Sequence, residues 1–208
     1  MEGIQETQEI QETQETQETQ EIQEIQEIQE TNRGTGAGGA QTNINGLAYE
    51  NQNDLSSRYE IVSEDASGIK TVNFKGNSGQ FTTGKKSQFH KVMKQRTSEY
   101  NDIALLHGTK QPDQWFICLD KKLCFIIEIK YQNGSGSVSE KLQTPANKQR
   151  RLKKMYPDFQ ILYIYGLSSW FRDNCAAEIE DLGEDNIPYF WGDDINFMDN
   201  IVNFIMNQ

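Results

Sequence analysis

Two short apolar runs, Trp115 to Leu119 and Leu123 to Ile127, stand on either side of the polar step Asp120-Lys121-Lys122. Runs of this length and composition, broken by a turn-length polar step, predict a β-hairpin. The hairpin constrains what flanks it. Pro112-Asp113 leads into the first run and Glu128-Ile129-Lys130 follows the second. If Asp120-Lys121 is a two-residue turn, Asp113 lies directly opposite Glu128. If the turn is Lys121-Lys122, Asp113 faces Lys130. Opposite residues share a face with Cβ atoms roughly 5 Å apart, and the period of two puts Glu128 and Lys130 on that same face. A three-residue loop would instead set Asp113 against Ile129 and scatter the three groups. An even loop is therefore required for the charged side chains to converge.

Two carboxylates and a lysine on one face are what is needed to hold a divalent metal beside a phosphodiester. Asp113 and Glu128 read as the metal ligands, with Mg²⁺ as the ion and Mn²⁺ as a substitute, and Lys130 as the group beside the attacking water. Three charged groups at the end of two apolar strands are costly without a purpose.

These residues resemble the pattern of the PD-(D/E)XK nuclease superfamily. The resemblance extends upstream to Gly38-Gly39-Ala40-Gln41-Thr42-Asn43 and Asn45-Gly46-Leu47-Ala48-Tyr49-Glu50, and downstream to Gly136-Ser137-Val138-Ser139-Glu140-Lys141-Leu142-Gln143-Thr144. In this respect the chain is similar to type II restriction endonucleases, including those of large DNA viruses. The resemblance implies an α/β fold with a restriction-endonuclease-like core, a central mixed β-sheet flanked by helices. It implies Mg²⁺-dependent cleavage of double-stranded DNA at a short recognition sequence, by a homodimer, with a companion DNA methyltransferase acting on the same site. It also implies that Glu50 completes the metal site or positions the lysine, and that Gln143 contacts the water or phosphate, with weaker roles for Ser137 and Lys141. A structure-specific nuclease of repair or recombination, and a DNA-binding protein with an inactive nuclease site, are the alternative functions.

Charge supports a nucleic-acid partner once it is resolved along the chain. The 208 residues carry a net charge of −11, but residues 1 to 31 hold ten Glu and no basic group. Asp173 to Gln208 holds nine acidic residues and no Lys or Arg, which leaves residues 32 to 172 with 20 basic and 12 acidic groups. A basic central region fits DNA. Lys85, Lys86, Lys91, Lys94 and Arg96 form one candidate set of phosphate contacts, and Lys148, Arg150 and Arg151 another. Tyr131 and Gln132, following the proposed metal strand, lie near enough to touch DNA. The three cysteines lack zinc-type spacing and read as core thiols, with Cys118 and Cys124 expected as near neighbours. No apolar run approaches the length of a membrane span, and the N-terminus lacks the basic and apolar regions of a signal peptide. An intracellular soluble protein is expected.

Two domains are read from this pattern, a low-complexity tail over 1–31 and a nuclease domain over 32–208. From Ile4 to Glu30 the chain is nine copies of Ile/Thr-Gln-Glu. A period of three drifts about 60° per repeat around a helix, so no apolar stripe forms. The tail is expected to be disordered or transiently helical. A helix capped by Asn45 is expected to run through Glu50 to about Ser57, followed by short strands over Tyr59 to Phe81 and a helix over Lys85 to Arg96. Val138 to Met155 reads as a helix interrupted by Pro145, and Phe159 to Tyr165 as a buried strand. A helix over Asn174 to Leu182, a strand over Pro188 to Trp191 and an amphipathic helix over Phe197 to Met206 complete the reading. Rival nuclease chemistries lack their letters. The two histidines, His90 and His107, form no His-Asn pair, and Tyr163-Ile164-Tyr165-Gly166 has no Gly-Ile-Tyr before it.

Overall fold

The apolar run Leu123–Lys130 (β5) is buried on both faces for all but its last residue, the mark of a central strand with helices covering both faces of its sheet. It sits within a seven-stranded mixed sheet whose strands follow chain order. A computed structural model describes residues 39–76, 79–99, 111–134 and 142–208. The acidic repeat, Ser137 and Lys141 lie outside the described residues. The antiparallel part of the sheet comprises β1 (Tyr59–Glu64), β2 (Lys70–Phe74), β3 (Gln80–Thr83), β4 (Gln114–Cys118) and β5. Two parallel strands follow, β6 (Gln160–Leu167) and β7 (Tyr189–Trp191). The helices are α1 (Gly39–Gln52), α2 (Phe89–Arg96), α3 (Pro145–Met155), α4 (Trp170–Asn174), α5 (Ala176–Glu184) and α6 (Phe197–Met206). The class is α/β, a mixed sheet flanked by helices. No helix among the described residues is long and apolar enough to cross a membrane.

Alternation along the central strands sorts the core into two layers. Trp115, Ile117, Cys124, Ile126, Tyr163 and Tyr165 pack with Phe89 and Met93 of α2, Leu152 and Met155 of α3, and Leu182 of α5. Phe116, Cys118, Phe125, Ile127 and Ile129 face the other way, against Tyr49, Leu55 and the α6 residues Phe197, Ile201 and Ile205. The three cysteines are free and buried, but Cys118 and Cys124 belong to opposite layers. They were expected as near neighbours; Cys118 pairs with Leu123 and Cys124 with Ile117, and this parity turns them apart.

Local chemistry moves several helix boundaries. The first described helix already includes Gly39, so Asn45 is an interior residue and not a cap. It ends at Gln52, and a 3-10 turn over Leu55–Arg58 takes over, capped by Asp54, whose carboxylate accepts from the Ser56 amide at 2.7 Å. Pro145 does not interrupt α3 but occupies its first turn, where a missing N–H costs nothing. The helix expected over Asn174 to Leu182 is two, broken at Cys175 (φ −133, ψ 47).

Between β5 and β6, Gly166 lies opposite Ile129. A Cβ built there would meet Ile129 Cδ1 at 2.6 Å and Phe197 Cζ at 2.7 Å. Gly166→Ala is therefore expected to overpack the layer and lower the unfolding free energy by about 1–3 kcal/mol, measured as a shift of the urea midpoint. No shift would mean that this layer is looser than the built contacts imply.

Candidate active site

The hairpin register is the one that brings the carboxylates together. Gln114 pairs with Ile127 and Cys118 with Leu123, so one step further along places Asp113 opposite Glu128. The Lys122 amide donates to the Leu119 carbonyl at 3.2 Å to close the turn, and Lys122 adopts φ 54 to do so. Asp113 precedes the first strand and its carboxylate continues the ladder, with Oδ2 accepting the Ile129 amide at 2.8 Å. That bond fixes the carboxylate against the strand that carries Glu128 and Lys130.

Lys130 Nζ lies 2.6 Å from Glu128 Oε1 and 3.7 Å from Asp113 Oδ2, and donates to the Ile129 carbonyl at 3.2 Å. Two further lysines join them. Lys148 Nζ, from α3, donates to both oxygens of Glu128 at 2.8 Å each. Lys86 Nζ bridges Asp113 Oδ1 at 3.1 Å and Glu50 Oε2 at 2.6 Å. The order is Glu50, Lys86, Asp113, Lys130, Glu128, Lys148, a chain of alternating sign with three formal charges of each kind. The segment that follows Glu50 is tied down by the Gln114 side chain. That side-chain amide donates to the Asn53 carbonyl at 3.1 Å and accepts from the Leu55 amide at 2.9 Å, tying the end of α1 to the start of β4.

Burial makes this chain consequential. Glu128 is 7% exposed. Burial alone would push its carboxyl up, but the Lys130 and Lys148 ammonium groups outweigh it and hold the acid below the ordinary glutamate range. Lys86 is pulled down by burial and raised further by Glu50 and Asp113, ending above the ordinary lysine value. Tyr165, paired with Glu128 across the parallel ladder, is pushed up by burial first and by the Glu128 charge second, so its phenol stays protonated.

Linkage gives these shifts a sign. Because the folded-state acidity of Glu128 is strengthened, its contribution to stability is complete above the unfolded glutamate value and lost as pH falls through it to the lower folded value. The stability gap between wild type and Glu128→Gln is therefore expected to be widest near about pH 7 and to close below the glutamate range, since the protonated acid resembles the amide. Urea unfolding across an acid pH series measures it. A gap that stays constant would mean that Glu128 is not held by the two lysines.

Of the residues expected at the site, Glu50, Asp113, Glu128 and Lys130 are brought together. Gln143 is exposed in the turn before α3 and is not among the bridged groups. Lys86 and Lys148, expected to face phosphate, lie on the carboxylates instead. Lys85, before the 3-10 turn Lys86–Gln88, is exposed, as are Lys91, Lys94, Arg96, Arg150 and Arg151, the outer sides of helices whose inner sides carry Phe89, Val92, Met93, Leu152 and Met155. Tyr131 packs against Tyr49 with centroids 5.1 Å apart. Gln132, expected near DNA, is buried. Its backbone N–H donates to Ser168 Oγ at 3.1 Å and its backbone carbonyl accepts from that hydroxyl at 3.0 Å, stapling the end of β5 to that of β6. The sequence does carry a signal for Lys148. Pro145, Leu152 and Met155 are the buried residues of α3, and positions three and four apart put Lys148 on the same stripe.

Among the described residues no three His, Cys, Asp or Glu side chains group closely enough to form a metal cage. The donors at the centre are Asp113, Glu128 and the Ile129 carbonyl. All are hard oxygens, a partial set that suits an ion such as Mg²⁺, which keeps several waters and takes only one or two carboxylates. Compared with known proteins, the chain matches no family model, no curated relative and no solved structure.

Proposed function

We propose that the protein is a Mg²⁺-dependent endodeoxyribonuclease with a PD-(D/E)XK core of restriction-endonuclease type, cleaving double-stranded DNA at a short recognition sequence. The observation that carries this reading is the convergence of Asp113, Glu128 and Lys130 at the end of two buried apolar strands, in the register that sets the two carboxylates opposite each other.

In this reading Asp113, Glu128 and the Ile129 carbonyl would hold the ion. A bound divalent cation acidifies a coordinated water and offsets charge on the phosphate. The protein's own groups do the rest. Lys130 orients the attacking water and meets the charge that develops on the phosphoryl oxygens. The Ile129 amide keeps Asp113 aimed inwards, and Tyr165 supplies a neutral wall beneath Glu128. Glu50 acts through Lys86 as a positioning residue. The exposed groups Lys91, Lys94, Arg96, Arg150 and Arg151 are candidates for contacts to the DNA backbone. A short palindromic site would be matched by a two-fold dimer, and a methyltransferase acting on the same sequence would protect the host DNA.

Digestion of plasmid and genomic DNA with Mg²⁺, and with EDTA in parallel, tests the reading. Discrete fragments that vanish in EDTA are expected. A smear would replace site-specific cleavage with a structure-specific repair nuclease. Retained binding with no cleavage of any unmodified substrate would make the protein a DNA-binding protein and end the enzymatic assignment.

A further inference from the structure

Deepening that proposal and resting on it, we infer that Lys86 and Lys148 occupy the carboxylates as internal counter-ions in the free protein and exchange onto DNA phosphates when a divalent cation enters. The argument is one of charge and geometry. Lys148 satisfies both oxygens of Glu128 at 2.8 Å, and Lys86 separates Asp113 from Glu50. Both oxygens of Glu128, Oδ1 of Asp113 and Oε2 of Glu50 are thus already taken by ammonium protons, while Asp113 Oδ2 accepts the Ile129 amide. The six groups sum formally to zero. Adding a divalent ion leaves an excess of two positive charges in a largely buried cluster, which is unfavourable unless anions accompany it. Two phosphate charges restore neutrality, and two lysines released from the carboxylates are free to meet them.

Exposure singles out which lysines move. Lys130 is the most enclosed at 19%, whereas Lys148 is 27% and Lys86 46% exposed. Lys130 is also held by the Ile129 carbonyl of its own strand. Lys148 is carried on α3 and Lys86 in the 3-10 turn Lys86–Gln88, so both ammonium groups approach from outside the sheet. Their long stems can swing out while their backbones stay in place.

The consequence is reciprocal coupling. DNA tightens metal binding because it draws the lysines off, and metal must tighten DNA binding by the same factor. The test is Ca²⁺ titration by calorimetry on the full chain, alone and with a short mixed-sequence duplex shown by gel to stay intact, for wild type, Lys86→Met, Lys148→Met and Glu128→Gln. Circular dichroism confirms folding, and the half-exposed Lys86 variant serves if Lys148→Met fails to fold. Removal of either lysine is expected to tighten Ca²⁺ on the protein alone about tenfold and to shrink the enhancement given by the duplex, within the range usual for coupled sites. Unchanged or weaker Ca²⁺ affinity in the lysine variants, with binding still lost in Glu128→Gln, would overturn the exchange while leaving the nuclease reading intact. If no variant binds Ca²⁺ at a site that depends on Glu128, with or without DNA, the metal-dependent nuclease reading fails as well.

Discussion

Glu128→Gln is expected to lose Mg²⁺-dependent DNA cleavage by about 10³-fold or more while keeping its fold, and Lys130→Ala by about 10²–10³-fold. The amide has nearly the shape of the acid but neither charge nor metal affinity, and it stands where two ammonium groups converge, at the proposed ion site. Some stability should be lost with it, because Lys130 and Lys148 no longer have their shared counter-charge. Thermal unfolding followed in parallel separates that loss from the loss of rate. For Lys130 the decline should fall on kcat with little change in KM, as expected of a group whose contact forms with developing charge. Lys130→Arg is not expected to restore the rate, because a planar fork cannot take the place of a compact ammonium held between two carboxylates. Glu50→Gln should cost less, about tenfold, since it reaches the centre through Lys86. Cleavage by Glu128→Gln at the wild-type rate would remove the site from this face of the protein altogether.

What the sequence made legible follows the range of the forces involved. The hairpin register depends on residues within twenty positions of one another, and two apolar runs joined by an even polar step leave little freedom; Asp113, Glu128 and Lys130 were accordingly readable. The same holds for α6, whose amphipathic spacing gives Phe197–Met206 without displacement. The β6 run was recognisable as core from its β-branched and aromatic density. Illegible were features decided by what a segment packs against. Gln114 anchors the end of α1 across 61 positions, and no local pattern announces that clamp. Lys86 meets Asp113 from 27 positions away and Lys148 meets Glu128 from 20. Their membership in the carboxylate chain arises from how a turn and a helix settle on the sheet. Gln132 was read as part of a solvent rim because it follows the strand, yet the Ser168 hydroxyl draws it inside. Asn45 is not the expected cap because the residues before it, from Gly39 on, are already helical, and its side chain competes for the backbone only where they are not.

The largest expected effect on stability is at Trp115, which is fully buried at the layer facing α2. Its ring packs against Phe89 with centroids 5.8 Å apart, its indole N–H donates to the Lys85 carbonyl at 3.2 Å, and its carbonyl accepts the Thr83 hydroxyl at 2.7 Å. Trp115→Ala is expected to lower the unfolding free energy by about 3–5 kcal/mol, a third or more of what a domain typically has, read from urea denaturation. Trp115→Phe keeps most of the apolar volume and removes the indole hydrogen bond, leaving the Lys85 carbonyl to the Gln88 amide at 2.9 Å, at a cost of about 0.5–1.5 kcal/mol. The pair of variants distinguishes packing from tethering. Lys85 immediately precedes Lys86, so the indole hydrogen bond also fixes where the turn carrying Lys86 sits over Asp113. If that tether matters, Trp115→Phe should bind divalent cation as Lys86→Met does while remaining folded. If the indole serves packing alone, Trp115→Phe should lose stability and keep the wild-type cation affinity. A cost below about 1 kcal/mol for Trp115→Ala would contradict the burial of this residue outright, since a void left by a whole indole cannot collapse so cheaply.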